Sequence, residues 1–117
     1  MILRRLLEDA AAELEAVDAA TAPGEEVTWS HADQPFAAIS ADGRAAEFGL
    51  DAAVAAAATR TPDVVPSGRG PGWVRFRPAA LDDHGADRAA AWFASAYRRV
   101  AAQAGSSALR NRNDPGR

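Results

Sequence analysis

Gly70-Pro71-Gly72-Trp73-Val74-Arg75-Phe76-Arg77-Pro78 is a β-strand with its lead-in and its exit written into it. Two glycines and a proline bend the chain in, and Pro78 ends the pairing. Between them, apolar and cationic residues alternate with the period of two that places neighbours on opposite faces of a sheet. Val74 and Phe76 point one way; Trp73, Arg75 and Arg77 point the other. Burying arginine is costly, so Val74 and Phe76 are expected on the side covered by helices and the other three on the open side.

Downstream, Asp82 and Asp83 put acidity at the start of a helix predicted from about Gly85 or Ala86 to Ala104. Its apolar stripe is Ala89, Trp92, Phe93, Ala96, Val100 and Ala104, with Arg98 and Arg99 near the negative end of its dipole. From Gly105 the residues are Ser, Arg, Asn, Asp, Pro and Gly with one alanine and one leucine, a composition that reads as a disordered tail over 105–117.

Upstream, Leu3, Leu6, Leu7, Ala10, Leu14 and Val17 share one face of a first helix. Three extended segments follow, over 26–31, 35–41 and 44–49, the last two joined by Asp42-Gly43, a dipeptide suited to the positive φ angles of a two-residue hairpin turn. Alternation is clear in Val27, Trp29 and His31. It weakens where Ala37, Ala38, Ala45 and Ala46 blur the faces, leaving two registers one residue apart. Asp51 is placed to cap a short helix over 52–59. Residues 62–72 hold three prolines and three glycines and read as a surface loop.

The expected architecture is therefore α+β in the order α-β-β-β-α-β-α, a mainly antiparallel four-stranded sheet with helices packed on one side. A single domain over residues 1–104 fits a chain of 117 residues, enough for one core and too short for two.

All 13 basic residues are arginine, alanine makes up roughly a quarter of the chain, and there is no cysteine. Absence of cysteine excludes disulfides, thiolate catalysis and Cys-ligated metal, and suits a cytoplasmic location. Glu8, Asp9, Glu13 and Glu15 interrupt the apolar positions of the first helix, which excludes a signal peptide core or a membrane span there. A net charge of −3 disfavours DNA as a partner, because nonspecific affinity comes mainly from phosphate neutralisation.

From the strand outward the residues also resemble a family. Pro35-Phe36-Ala37, the turn glycine Gly43, a short helix after Leu50, Gly72-Trp73-Val74-Arg75-Phe76 and a closing helix with Ala96-Tyr97-Arg98-Arg99-Val100 are similar to the YjbR/MmcQ family over about residues 35–102. The resemblance implies a small YjbR-like α/β fold and a family often labelled DNA-binding; it carries no catalytic signature. A less close likeness is to a luciferase-associated domain, again through the Gly-Trp-Val strand and terminal helix.

The candidate contact surface is Trp73, Arg75 and Arg77 with Arg44 on a neighbouring strand, Arg69 on the glycine-rich loop and Trp29. Indole supplies stacking and guanidinium supplies bidentate contacts to an anion or a peptide. The plainer reading is that the arginines cover the solvent side of the sheet and pair with Glu47 or other carboxylates. His31 and His84 lie far apart, and Asp82, Asp83, His84 and Asp87 cluster as helix caps rather than as metal ligands. Glu25-Glu26 reads as a solvated turn, and no serine has nucleophile-elbow spacing.

The function expected is a non-catalytic binding or interaction module, with no cofactor, metal or membrane. A DNA-associated protein using Arg44, Arg69, Arg75 and Arg77 is the alternative from another class, and a small-ligand domain with its pocket under the 62–72 loop is a third.

Overall fold

A computed structural model describes residues 2–22 and 24–112, with side chains as far as Ala104. The elements run α1 (Leu3–Ala12), β1 (Asp18–Thr21), β2 (Val27–His31), β3 (Gln34–Ile39), β4 (Ala46–Gly49), α2 (Ala52–Ala58), β5 (Val64–Pro66), β6 (Trp73–Phe76) and α3 (Asp83–Arg112). The strands form one antiparallel sheet in the order β1-β2-β3-β4-β6-β5. The class is α+β as expected, but among the described residues the sheet has six strands rather than four.

Both additional strands lie at the edges and are mostly exposed, Val64 being the one core residue between them, so their sequences show no alternation. Asp18–Thr21 is Asp-Ala-Ala-Thr, exposed at every position, so no alternation marks it. Val64–Pro66 is three residues long and ends on proline, tolerated at an edge because no ladder partner needs its missing N–H. The first helix stops at Ala12, short of the expected Val17, and the chain turns through Ala16 at φ 55 to enter β1.

The register settles the faces. Val27 pairs with Ile39, Ile39 with Ala46 and Ala46 with Phe76, while Trp29, Ala37, Phe48 and Val74 form the next row. Directly paired residues share a face, so these two rows make the core side. Leu3 and Leu7 of α1, Ala55 and Ala58 of α2, and Ala89, Trp92, Phe93, Ala96 and Val100 of α3 join them in one cluster. Val74 and Phe76 are 1% exposed, the orientation expected from their alternation with arginine.

Because alanine offers little area, aromatic rings fill the space between sheet and α3. Phe93 meets Trp29 at 5.3 Å and Phe36 at 5.2 Å, and Trp92 meets Phe76 at 5.4 Å, all edge to face. Such pairs add about 0.5–1.5 kcal/mol each beyond the area they bury.

Helix α3 starts under a side-chain cap, the Gly85 N–H donating to Asp82 Oδ1 at 2.7 Å. It passes Ala104 and continues to Arg112, so residues 105–112 are helical where a disordered tail was expected. Ala108, Leu109 and Arg110 are strong helix formers and no proline intervenes before Pro115, so one Gly105 is not enough to stop the helix. The rest of the expected tail, residues 113–117, lies outside the described residues. Asp51 precedes α2 without making a side-chain cap; its carboxylate faces Arg99 Nε at 3.5 Å instead. No helix among the described residues is long and apolar enough to cross a membrane.

Candidate functional site

The face opposite the helices carries the second alternation of the strands. Glu47 stands in register between Ala38 and Arg75, and Arg75 between Glu47 and Val65. One pair further along, Trp73 lies opposite Gly49, and the missing side chain at Gly49 is what gives the indole room. Trp73 and Arg75 are half-buried, and Val65 is 54% exposed. This face is thus a shallow surface of one indole, one branched apolar side chain and several charges.

The loop between β5 and β6 folds back on that face. Its backbone is tied at both ends: the Ser67 N–H donates to the Trp73 carbonyl at 2.8 Å, and the Leu50 N–H to the Gly72 carbonyl at 2.9 Å. Arg69 projects from its middle. The guanidinium carbon sits 5.6 Å from the Trp73 ring centroid, Nε lies 3.0 Å from Glu47 Oε1, and Nη2 contacts Glu26 Oε1. The Ser67 hydroxyl donates to the other oxygen of Glu47.

A cation linking Glu47 on β4 to Glu26, the residue just before β2, must cross β3 between them, where the side chain is the small Ala38. Ala38 is 1% exposed although no helix covers that side, in keeping with an arginine lying over it. Burial pulls the Arg69 guanidinium below its ordinary pKa; arginine nonetheless keeps its charge across the physiological range.

The six side chains singled out in the sequence divide into three groups. Trp73, Arg75 and Arg69 come together on the open face. Arg44 and Arg77 sit at the far end of the sheet, beside the β3–β4 hairpin. There the Arg77 guanidinium lies 3.4 Å from Asp42 Oδ2, and the Arg44 backbone N–H donates to Asp42 Oδ1 at 2.9 Å. They border an open cleft of about 670 Å³, with Asp63, Ile2 and Leu81 on its other walls. Trp29 is not a surface residue at all. It belongs to the inward row of β2, 2% exposed against Phe93, because its strand presents Val27 and Trp29 to the core together.

Sequence reasoning named Glu47 as a partner for arginine, and Arg69 is the one it holds. In the sequence Glu26 reads as a solvated turn residue. Its Oε1 is instead sealed from water beside the Arg69 guanidinium. The signal that would have found it is the two-residue spacing from Thr28, which puts Glu26 on the open face of β2 if the strand is extended backwards.

Two further hollows flank Trp73. One of about 290 Å³ lies beneath the 62–72 loop, walled by Ala55, Thr59, Pro66, Pro71 and Trp73. The other, about 430 Å³, opens between Trp73, Pro35, Arg99 and Gln103. Among the described residues no three His, Asp or Glu side chains converge as metal ligands would. No family model matches the chain, and neither the curated proteins nor the solved structures give a match.

Proposed function

We propose that the protein is a non-catalytic, cytoplasmic binding module on a YjbR-like scaffold, and that the uncovered face of its sheet is the contact surface. The observation that supports this reading is a half-buried Trp73 on the arginine-bearing face of the sheet, with Arg75 and Val65 alongside it. Aromatic and arginine side chains dominate the energetics of protein contacts, because they bring area and geometry with little ordering cost.

A small-ligand reading draws on the hollow beneath the 62–72 loop. Its roughly 290 Å³ is at the lower edge of what drug-sized ligands occupy, and it is open to solvent, which favours a side chain or peptide as the occupant. DNA is the weaker partner class. Arg69 and Arg77 are already engaged by carboxylates, and the chain is acidic overall.

A thermal-shift screen of short peptides and small molecules tests the reading. At least one hit is expected whose stabilisation, read against each variant's own unliganded melting temperature, disappears in Trp73→Ala and in Arg75→Gln. Hits indifferent to both substitutions would move the contact surface elsewhere. Turnover in a hydrolase or transferase panel, abolished by one polar substitution, would overturn the non-catalytic part. Titration with duplex DNA at two salt concentrations decides the remaining alternative.

A further inference from the structure

We infer that Glu26, Glu47 and the indole of Trp73 form a guanidinium-binding site, that Arg69 fills it from within the chain, and that an arginine of a protein partner takes the same place when Arg69 swings out. The inference rests on the reading of the uncovered face as the contact surface and names the group that face recognises.

The occupant is already in view, so the site's chemistry need not be guessed. Carboxylates reach the guanidinium from β4 and from the residue just before β2, with Arg69 Nε 3.0 Å from Glu47 and Nη2 against Glu26, and the indole faces it at 5.6 Å. A planar, delocalised cation satisfies all three at once; an ammonium cannot match two separated carboxylates and stack on a ring. Ser67 donates to the second oxygen of Glu47, so that carboxylate keeps a partner when the Arg69 side chain leaves.

The Arg69 side chain can leave without moving the loop. A Cβ at the preceding Gly68 would meet nothing within 4 Å, so the space there is open. The backbone stays anchored by the Arg69 N–H donating to Ser67 Oγ at 3.2 Å and the Trp73 N–H donating to the Gly70 carbonyl at 3.2 Å, so only the side chain has to rotate out. Removing the arginine leaves two carboxylates without their cation on a chain that is already acidic, a state that a new guanidinium relieves. A tethered side chain competes at roughly millimolar effective concentration. The partner must therefore add contacts, and Arg75 and Val65 are next to the site on the same face.

Arg69→Ala vacates the site. Guanidinium chloride at about 20 mM should raise its melting temperature by about 3 °C over the same concentration of sodium chloride. Neither the wild type nor Arg69→Ala/Glu47→Gln should respond. Acetyl-Gly-Arg-Gly-amide should change the tryptophan fluorescence of Arg69→Ala at concentrations at least about five-fold lower than its lysine counterpart, and not in Arg69→Ala/Trp73→Phe. Equal response to guanidinium and sodium, or a response that survives Glu47→Gln, overturns the inference. If Arg69→Ala does not fold, the same probes are titrated on Arg69→Gln, which removes the resident guanidinium but keeps an amide against the carboxylates, and lack of arginine preference there is equally decisive. Should arginine probes fail while another ligand still binds through Trp73, this inference falls alone; should nothing bind through Trp73, the contact surface falls with it.

Discussion

The indole of Trp73 lies across Gly49 on the neighbouring strand, so close that a Cβ built at Gly49 would stand 2.8 Å from Cε2 of the ring. The backbone at Gly49 is ordinary extended strand, so any cost of a side chain there comes from displacing the indole. Gly49→Ala should destabilise the fold by about 1–2 kcal/mol, the range for overfilling a packed contact, and should shift the tryptophan emission. In Gly49→Ala/Trp73→Ala the penalty of the first substitution should vanish, because the group it displaces is gone. Urea denaturation of the four proteins measures this; additive costs would show that the indole is not what confines Gly49.

Gly72 is constrained differently. Its φ is +80, and a Cβ would come within 2.3 Å of the Leu50 carbonyl oxygen, a backbone atom that cannot rotate away. The same two residues are joined by the Leu50 N–H to Gly72 carbonyl bond at 2.9 Å, which links the end of β4 to the start of β6. Gly72→Ala therefore has to break that junction as well as adopt a disfavoured φ. A loss of about 3 kcal/mol or more is expected, well beyond that of Gly49→Ala, and equilibrium unfolding should rank them so.

These two glycines also show how far the sequence could be read. Gly72 was legible as the turn into a strand because glycine before an alternating run is a local signal. Gly49 was not, since its reason is a ring arriving from a strand 24 positions on. The same division runs through the fold. Core strands announced themselves through Val27, Trp29, Val74 and Phe76, whose burial leaves a pattern. Asp18–Thr21 left none because all its positions are exposed, and Val64–Pro66 left almost none because a three-residue strand with one core side chain, Val64, shows no period. At the candidate site, Trp73 and Arg75 followed from alternation, whereas the meeting of Arg69 with Glu26 depends on three strands lying side by side. Trp29 was misplaced because an aromatic in a strand fits either face until the register is known.

Asp42 gives a pH dependence of definite sign. The Ser40 hydroxyl at 2.5 Å, the Arg44 backbone N–H and, more weakly, the Arg77 guanidinium stabilise its charged form and lower its pKa from 3.8 to about 2. A carboxyl whose folded pKa is depressed adds stability above its unfolded value and loses it as the pH falls towards the folded one. The contribution should thus be fully present above about pH 5 and fade between pH 4 and 2. Asp42→Asn should be less stable than the wild type at neutral pH, with the two curves converging as the pH approaches 2. Parallel curves would mean that the hairpin contacts do not discriminate between the charged and neutral carboxyl.

The connection from α1 to β1 holds Ala16 at φ 55, a conformation that costs an L-residue about 1–2 kcal/mol and glycine almost nothing. Two side chains from the body of the fold grip it there. The Tyr97 hydroxyl donates to the Glu15 carbonyl at 2.8 Å, and since a carbonyl only accepts, His31 Nδ1 must carry the hydrogen it shares with Ala16 O at 3.0 Å. His31 and Tyr97 also meet edge to face at 5.1 Å, so the clamp is one unit. Relieving the strain at Ala16 works against the entropy glycine adds to the unfolded chain, about 0.5–1 kcal/mol. Ala16→Gly should accordingly be neutral or stabilising by about 0.5 kcal/mol, whereas Ala56→Gly, on the exposed side of α2, should cost about 0.5–1 kcal/mol. Tyr97→Phe keeps the ring contacts, loses one hydrogen bond and should cost about 1 kcal/mol. Combined with Ala16→Gly it should cost less, because a loop that no longer stores strain needs less holding. Chemical denaturation of the single and double variants checks each value, and an Ala16→Gly penalty as large as that of Ala56→Gly would remove strain from the account of this turn.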